Sequence, residues 1–427
     1  MKTVPSLAVR FLQASFLLLL VSCHYSKPKV YDPAQVRFEA SYNSIFENQF
    51  YPSLVMGVAG LSDPNYVFTD TNALFAVSVT APVSNAVLRI TIDSSKLNYV
   101  TIIQEVLPMK DMRYTFYPTV KWKYDQLYST RQQGTADLTF TCYINDEEVD
   151  VKNLRVNYRS ANDCILSIRD AAGRNYDYRW LFAAYVNEEH PYIDSILSDI
   201  MQQGVVTKIS GYQSDAKSVV SQVEAIWYYA LERGIRYSSI SCTATPTTRS
   251  NVQHIRFFDE VYNSRQANCV DACVFFASIM RKIGLKPVIF VEPCHAYIGY
   301  YTDKNRKNLR LLETTITAWV DFPALTRDYA ATMEANPNAE GKNRISKSMY
   351  DKYTKYLSSD EKRQWDENKM DIDELKRAVA HYLFLKATDY DKDNYKNNKK
   401  LFSASDNTQY QQLDIEQLRK IVQPING

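Results

Sequence analysis

The sequence predicts a multidomain chain in which an N-terminal β-sandwich is followed by an α+β unit and then by a helical C-terminal extension. Three observations lead there. Apolar residues recur with period two from about residue 67 to 168, the period changes to that of helices after Ala171-Ala172-Gly173, and a helical segment near residues 372–385 marks the tail. At 427 residues the chain can hold two or three domains, each with its own core. The expected divisions are 1–22, a signal peptide; 23–35, a lipidated tether; 36–168, the sandwich; 169–345, the α+β unit; and 346–427, the extension.

In the sandwich, Leu88, Ile90 and Ile92 alternate with Arg89 and Thr91, and Leu138, Phe140, Cys142 and Ile144 alternate with Thr139, Thr141 and Tyr143. Such runs are half-buried strands. Several of them separated by turn residues describe an immunoglobulin-like sandwich. No catalytic constellation lies inside it, so it reads as a spacer or recognition module.

In the α+β unit, His190-Pro191 opens a helix through Ile193, Ile196, Leu197 and Ile200 that stops at Gly204. A second helix starts with Ser214 as N-cap, carries Val219, Val220, Val223, Ile226, Trp227 and Ala230 on one face, and ends at Gly234. The third is apolar nearly all round from 270 to 280 and must be central, with Gly284 as a left-handed stop. Asn268 is its N-cap, which places Cys269 in the first turn, where the positive end of the macrodipole favours a thiolate.

Three strands follow as an antiparallel meander: residues 287–291, His295 to Tyr301, and Leu309 to Thr315, the last two joined by a polar turn at 303–308. If Tyr301 pairs near Leu309, His295 lies opposite Thr315 with Glu313 as diagonal neighbour; a register shift makes the pair direct. In both registers the carboxylate reaches the imidazole, leaving the second ring nitrogen to take a thiol proton.

Asn-Cys-Val-Asp opening a buried helix that ends in Met-Arg-Lys-Ile-Gly, then His-Ala-Tyr, then Leu-Leu-Glu-Thr-Thr, resembles the transglutaminase-like superfamily of papain-fold thiol enzymes over roughly residues 175–325. The resemblance implies Cys269 as nucleophile, His295 as base and Glu313 as orienting acid. It departs at Tyr297, where the family often has Trp, and at Glu313, where it has Asp. It also implies an oxyanion donor upstream of Cys269, for which Gln253 is the candidate ahead of Gln266. The implied chemistry is acyl transfer on peptide or protein amides, by a peptidase or amidase if water resolves the acyl-enzyme and by a transglutaminase-type acyltransferase if an amine does. The alternative is a catalytically inert surface or periplasmic binding module on the same fold.

The other reactive residues have plainer readings. Cys273 is a small core hydrophobe one turn further along the helix. Cys294 precedes His295 on a strand and points away from the thiol, Asp271 bonds backbone near the helix start, and His254 and His381 are surface or satisfied core histidines. Among the six cysteines after Cys23 there is no CxxC pair, and no calcium loop or metal-ligand spacing occurs, so neither metal nor cofactor is expected. The run from Asp389 to Lys400 reads as a solvated loop.

At the N-terminus, Lys2 and Arg10 flank a segment leading into Phe16-Leu17-Leu18-Leu19-Leu20-Val21, too short to span a bilayer and typical of a signal peptide. Leu20-Val21-Ser22-Cys23 resembles the bacterial lipobox, which implies lipidation at Cys23. With His24 rather than an acidic residue after it, the resemblance implies an outer-membrane lipoprotein of the cell envelope, facing the periplasm or the surface. The partners expected are therefore a membrane, through the lipid, and a peptide or protein substrate. With 50 Lys and Arg against 48 Asp and Glu, the net charge of +2 provides no field for nucleic acid. No sequence feature sets the oligomeric state.

Overall fold

The structure is a computed structural model that describes residues 31–61, 68, 73–239, 249–404 and 409–425. The signal peptide, Cys23 and Cys242 lie outside the described residues. The fold is mixed α+β with several sheets, one of them curled into a half-barrel, and a long C-terminal helix. No helix among the described residues is long and apolar enough to cross a membrane.

The N-terminal part holds β1 (Phe38–Tyr42), β2 (Gln49–Phe50), α1 (Pro52–Gly57), β3 (Phe75–Thr80), β4 (Ala86–Ile92), β5 (Thr101–Leu107), β6 (Arg113–Phe116), α2 (Tyr124–Ser129), β7 (Gly134–Ile144) and β8 (Glu147–Tyr158). They form a three-stranded sheet in the order β1-β3-β6 and a five-stranded sheet in the order β2-β8-β7-β4-β5. Leu88, Ile90, Ile92, Leu138, Phe140, Cys142 and Ile144 are all buried, because side chains two apart on a strand share a face.

The second part contains β9 (Asp163–Arg169), β10 (Asn175–Asp177), α3 (Phe182–Tyr185), α4 (Tyr192–Gln202), α5 (Ala216–Arg233), β11 (Arg236–Tyr237), β12 (Ser250–His254), α6 (Phe258–Ser264), β13 (Gln266–Ala267), α7 (Cys269–Lys282), β14 (Pro287–Glu292), β15 (His295–Tyr301), β16 (Leu309–Leu312) and α8 (Phe322–Ala335). Strand β9 pairs with both β10 and β12, so it lies across the expected division at 168/169. The cap of α5 is Asp215 rather than Ser214: its carboxylate accepts from the Ser218 N–H at 2.8 Å, a reach that Ser214 would make one residue too early. Gly234 and Gly284 take left-handed φ values of 78° and 79° where the helices end.

The tail differs most from expectation. After α9 (Lys347–Thr354) and α10 (Ser359–Asp366), α11 runs from Ile372 to Tyr390, and Asp389 to Lys400 is not a loop but the end of α11 followed by α12 (Lys392–Phe402). The chain then forms β17 (Gln411–Asp414) and α13 (Ile415–Leu418). Strand β17 pairs antiparallel with β14, completing a four-stranded sheet in the order β16-β15-β14-β17. One buried apolar cluster extends from Val36 to Ile425, and the Gln423 and Ile425 N–H groups bond the carbonyls of Gly57 and Ala184. On the opposite face of the four-stranded sheet, Val288, Phe290, Tyr297 and Leu311 meet Phe402 of α12 in a second, smaller cluster. The mixed charges of α12 hid this packing from a reading of composition, since Phe402 and its partial neighbour Tyr395 are enough to seat the helix.

Candidate active site

Cys269, His295 and Glu313 come from three elements that converge at one end of the four-stranded sheet. At the start of α7, the Asn268 side chain accepts from the Asp271 N–H at 2.8 Å and Asp271 accepts from the Asn268 N–H at 2.9 Å. This reciprocal capping satisfies two groups that a helix start leaves open. Asp271 is fully buried, and it also accepts from the Arg256 backbone N–H and guanidinium, each at 2.8 Å. Burial pushes the Asp271 carboxyl up against the pull of these bonds. Asp271 thus locks the segment before α6 to the turn that carries Cys269, whose side chain is partly exposed. The first-turn N–H groups of Cys269 and Val270 have no intrahelical acceptor, so that turn can donate to a developing oxyanion.

His295 opens β15 immediately after a two-residue turn of Pro293 and Cys294. Cys294 is therefore a turn residue, exposed and left-handed at φ 64°, and not the strand residue expected. The ladder pairs Tyr301 with Leu309, the diagonal register, and β16 stops at Leu312 instead of running on to Thr315. The strand ends because the Glu313 N–H leaves the ladder for the Ala387 carbonyl of α11, at 2.9 Å. Glu313 instead caps the 3-10 helix Thr314–Trp319: Oε1 accepts from the Thr315 N–H at 2.7 Å, and Oε2 lies 2.7 Å from His295 Nε2.

The imidazole is thus held on one nitrogen by Glu313, leaving Nδ1 for Cys269. The neighbouring Cys269 sulfur first, and then the hydrogen-bonded Glu313 carboxylate, raise the His295 pKa to about 10, outweighing burial, which acts the other way. Burial pushes the Glu313 carboxyl up, but bonds from His295, Asp391 and Thr315 outweigh it and the net direction is down. The arrangement sets a base, oriented by a carboxylate, beside a thiol, the combination that nucleophilic catalysis by cysteine uses.

Sequence reasoning missed Asp391, at the junction of α11 and α12. It is buried, and donor atoms of His295, Glu313 and Asp391 all lie within 4.8 Å of one another, a spacing that could hold a metal ion. Two ligands on a tetrahedral ion at about 2.1 Å would stand roughly 3.4 Å apart. The 2.7 Å contact between His295 and Glu313 is instead a direct hydrogen bond, so the group reads as a hydrogen-bonded cluster.

No protein-family model matches this chain, and no curated protein matches it.

Tyr237, at the end of β11, also borders the site: burial first, then the charges of Cys269 and Glu313, raise its phenol. Its strand pairs in parallel with β13 directly before Asn268, a placement with no local signal in the sequence. Gln253 sits in β12, and its amide donates to the His254 carbonyl at 2.9 Å rather than to a member of the cluster. His254 faces Asp163 and His381 faces Glu224. Cys273 is buried, and burial pushes its thiol well up, consistent with a core residue.

Proposed function

We propose that this chain is an exported lipoprotein of the bacterial cell envelope that performs thiol acyl chemistry on peptide or protein amides. Cys269 is the nucleophile, His295 the base and acid, and Glu313 the orienting carboxylate. The observation that carries this reading is the imidazole of His295, a neighbour of the Cys269 sulfur, bonded at 2.7 Å to the fully buried Glu313. In the same reading residues 169–345 form a papain-like unit of the transglutaminase-like type, supported by the antiparallel β14-β15-β16 meander packed against α7. The two sheets of residues 36–168, antiparallel except where the short edge strand β2 pairs in parallel with β8, support an immunoglobulin-like sandwich.

The Cys269 thiolate attacks the amide carbonyl, and first-turn N–H groups take the negative charge of the tetrahedral intermediate. Imidazolium His295 gives its proton to the leaving amine as the C–N bond breaks, which leaves a thioester. Water or an amine, deprotonated by His295, then attacks the thioester and releases the acyl group with the thiolate restored. Glu313 carries no proton in these steps; it keeps Nε2 engaged so that Nδ1 faces the sulfur.

The experiment is iodoacetamide labelling of the full chain across a pH series, read by peptide mapping. Cys269 is labelled below neutral pH, buried Cys273 is not, and His295→Ala moves Cys269 labelling toward that of an ordinary thiol. Labelling of Cys269 only above neutral pH, unchanged by His295→Ala, would replace the enzyme by an inert binding module.

A further inference from the structure

Asp391 brings a second carboxyl group to Glu313: one oxygen of each, and a ring nitrogen of His295, lie within 4.8 Å of one another. Asp391 is 4% exposed, and Asp391 Oδ2 has no donor directed at it among the described residues. Asp391 is delivered by the C-terminal helices: its N–H bonds the Asp389 carbonyl at the end of α11, and its carbonyl accepts from the Tyr395 N–H of α12 at 2.8 Å. The same α11 takes the Glu313 N–H on Ala387, so both carboxyl groups are set by one helix. Two carboxylates this close and this buried cannot both ionise, and a bond between them requires a proton on one. His295 compensates the charge on Glu313, so the proton belongs on Asp391.

We propose that Asp391 is a fourth member of the site, a positioning residue whose carboxyl proton bridges to Glu313 and keeps that carboxylate aimed at His295. The role rests on the thiol reading above and extends it to the C-terminal extension, which becomes part of the site. The groups facing Asp391 are Glu313 after β16, His295 and Tyr297 of β15, Glu292 of β14 and Cys273 of α7. Of these only His295 is cationic. Glu292 is itself engaged by the Asn394 amide of α12 at 2.8 and 2.9 Å. Burial, then Glu313 and Glu292 against the opposing pull of His295, raise the Asp391 carboxyl to about 8. Above that pH the bridging proton is gone and a second anion faces Glu313.

The test follows the His295 Cε1–H resonance of the full chain by NMR from acid to alkaline pH, in wild type, Asp391→Asn and Asp391→Ala. Wild type shows an inflection at about 8 from Asp391 in addition to the loss of the imidazole's own proton at about 10. Both variants lose the lower inflection. In turnover of an amide substrate Asp391→Ala falls by about 10- to 100-fold, the usual effect of removing a group that orients a reacting residue. Asp391→Asn recovers most of that loss, because its amide still donates to Glu313. If Asp391→Ala does not fold, the inflection in Asp391→Asn decides alone. An inflection at about 8 that survives in Asp391→Asn overturns the proposal, as does equal turnover in the two variants. Labelling of wild-type Cys269 below neutral pH, measured beside it, separates the two failures: if Cys269 labels and the inflection ignores residue 391, only the role of Asp391 falls. If Cys269 does not label, the thiol reading falls and takes that role with it.

Discussion

His295 and Glu313 meet on a diagonal across β15 and β16 rather than face to face. The ladder pairs Ile298 with Leu312, which sets Glu313 level with Tyr297, the next residue on the His295 face, yet Nε2 and Oε2 are 2.7 Å apart. A diagonal neighbour is farther away than a direct one, and the longer arm of Glu over Asp closes the gap. Because Glu313 has already left the strand to cap a 3-10 helix, its two oxygens have separate tasks, one on His295 and one on the Thr315 N–H.

That division of tasks makes Glu313→Gln informative. Gln offers one acceptor oxygen where two N–H groups need one each, and it removes the charge that favours the imidazolium. Activity should fall by at least about 100-fold, toward the roughly 10⁴-fold seen for the equivalent change in a serine triad. Circular dichroism should show the fold intact. Turnover within a few-fold of wild type would remove Glu313 from the site.

The Arg256 and Asp271 pair should matter to stability and to the site together. Arg256→Ala leaves Asp271 fully buried with only backbone donors, and removing one partner of a buried pair costs about 3 kcal/mol or more. Urea unfolding should show that loss, and Cys269 labelling should weaken as the α7 start loosens. A change below about 1 kcal/mol would mean that the backbone bonds alone hold Asp271.

Stability should decline with rising pH through two groups. Asp391 moves from an ordinary 3.8 to about 8, so between those values the native chain keeps a proton that the unfolded chain has released. Stability then falls as pH rises; the contribution is complete below 3.8 and lost above about 8. His295 acts with the same sign, complete below 6.5 and lost through about 10. Asp391→Asn removes the first term, so its urea midpoint should gain on that of wild type between pH 4 and 8. Parallel midpoints across that range would show that Asp391 is not protonated in the native chain.

Anchoring is tested at Cys23, outside the described residues. Cys23→Ser should abolish lipidation and move the chain out of the membrane fraction, since each buried acyl CH₂ contributes about 0.8 kcal/mol and several chains make the anchor nearly permanent. Retention of the variant in membranes at high salt would refute the lipobox reading.

Local signals carried the sequence a long way. Period two located β4 and β7 and their buried residues, the Asn268 cap with the apolar run after it located α7, and the polar turn at 303–308 located the β15–β16 hairpin while leaving open the register that pairs Tyr301 with Leu309. Cys269 and His295 could be singled out because each opens an element, where caps and turns leave a signature within a few residues, whereas Glu313, expected inside a strand that ran to Thr315, was reached through its pairing with the His295 strand. What tertiary structure alone decided lies farther apart along the chain. The early end of β16 depends on Ala387, the first turn of α7 on Arg256, the sheet edge on β17, and the second carboxyl group near Glu313 on where the C-terminal helices place Asp391. None of these has a local pattern, because a hydrogen bond between distant segments is specified by where packing places both of them, and periodicity reports only which face of its own element a residue takes.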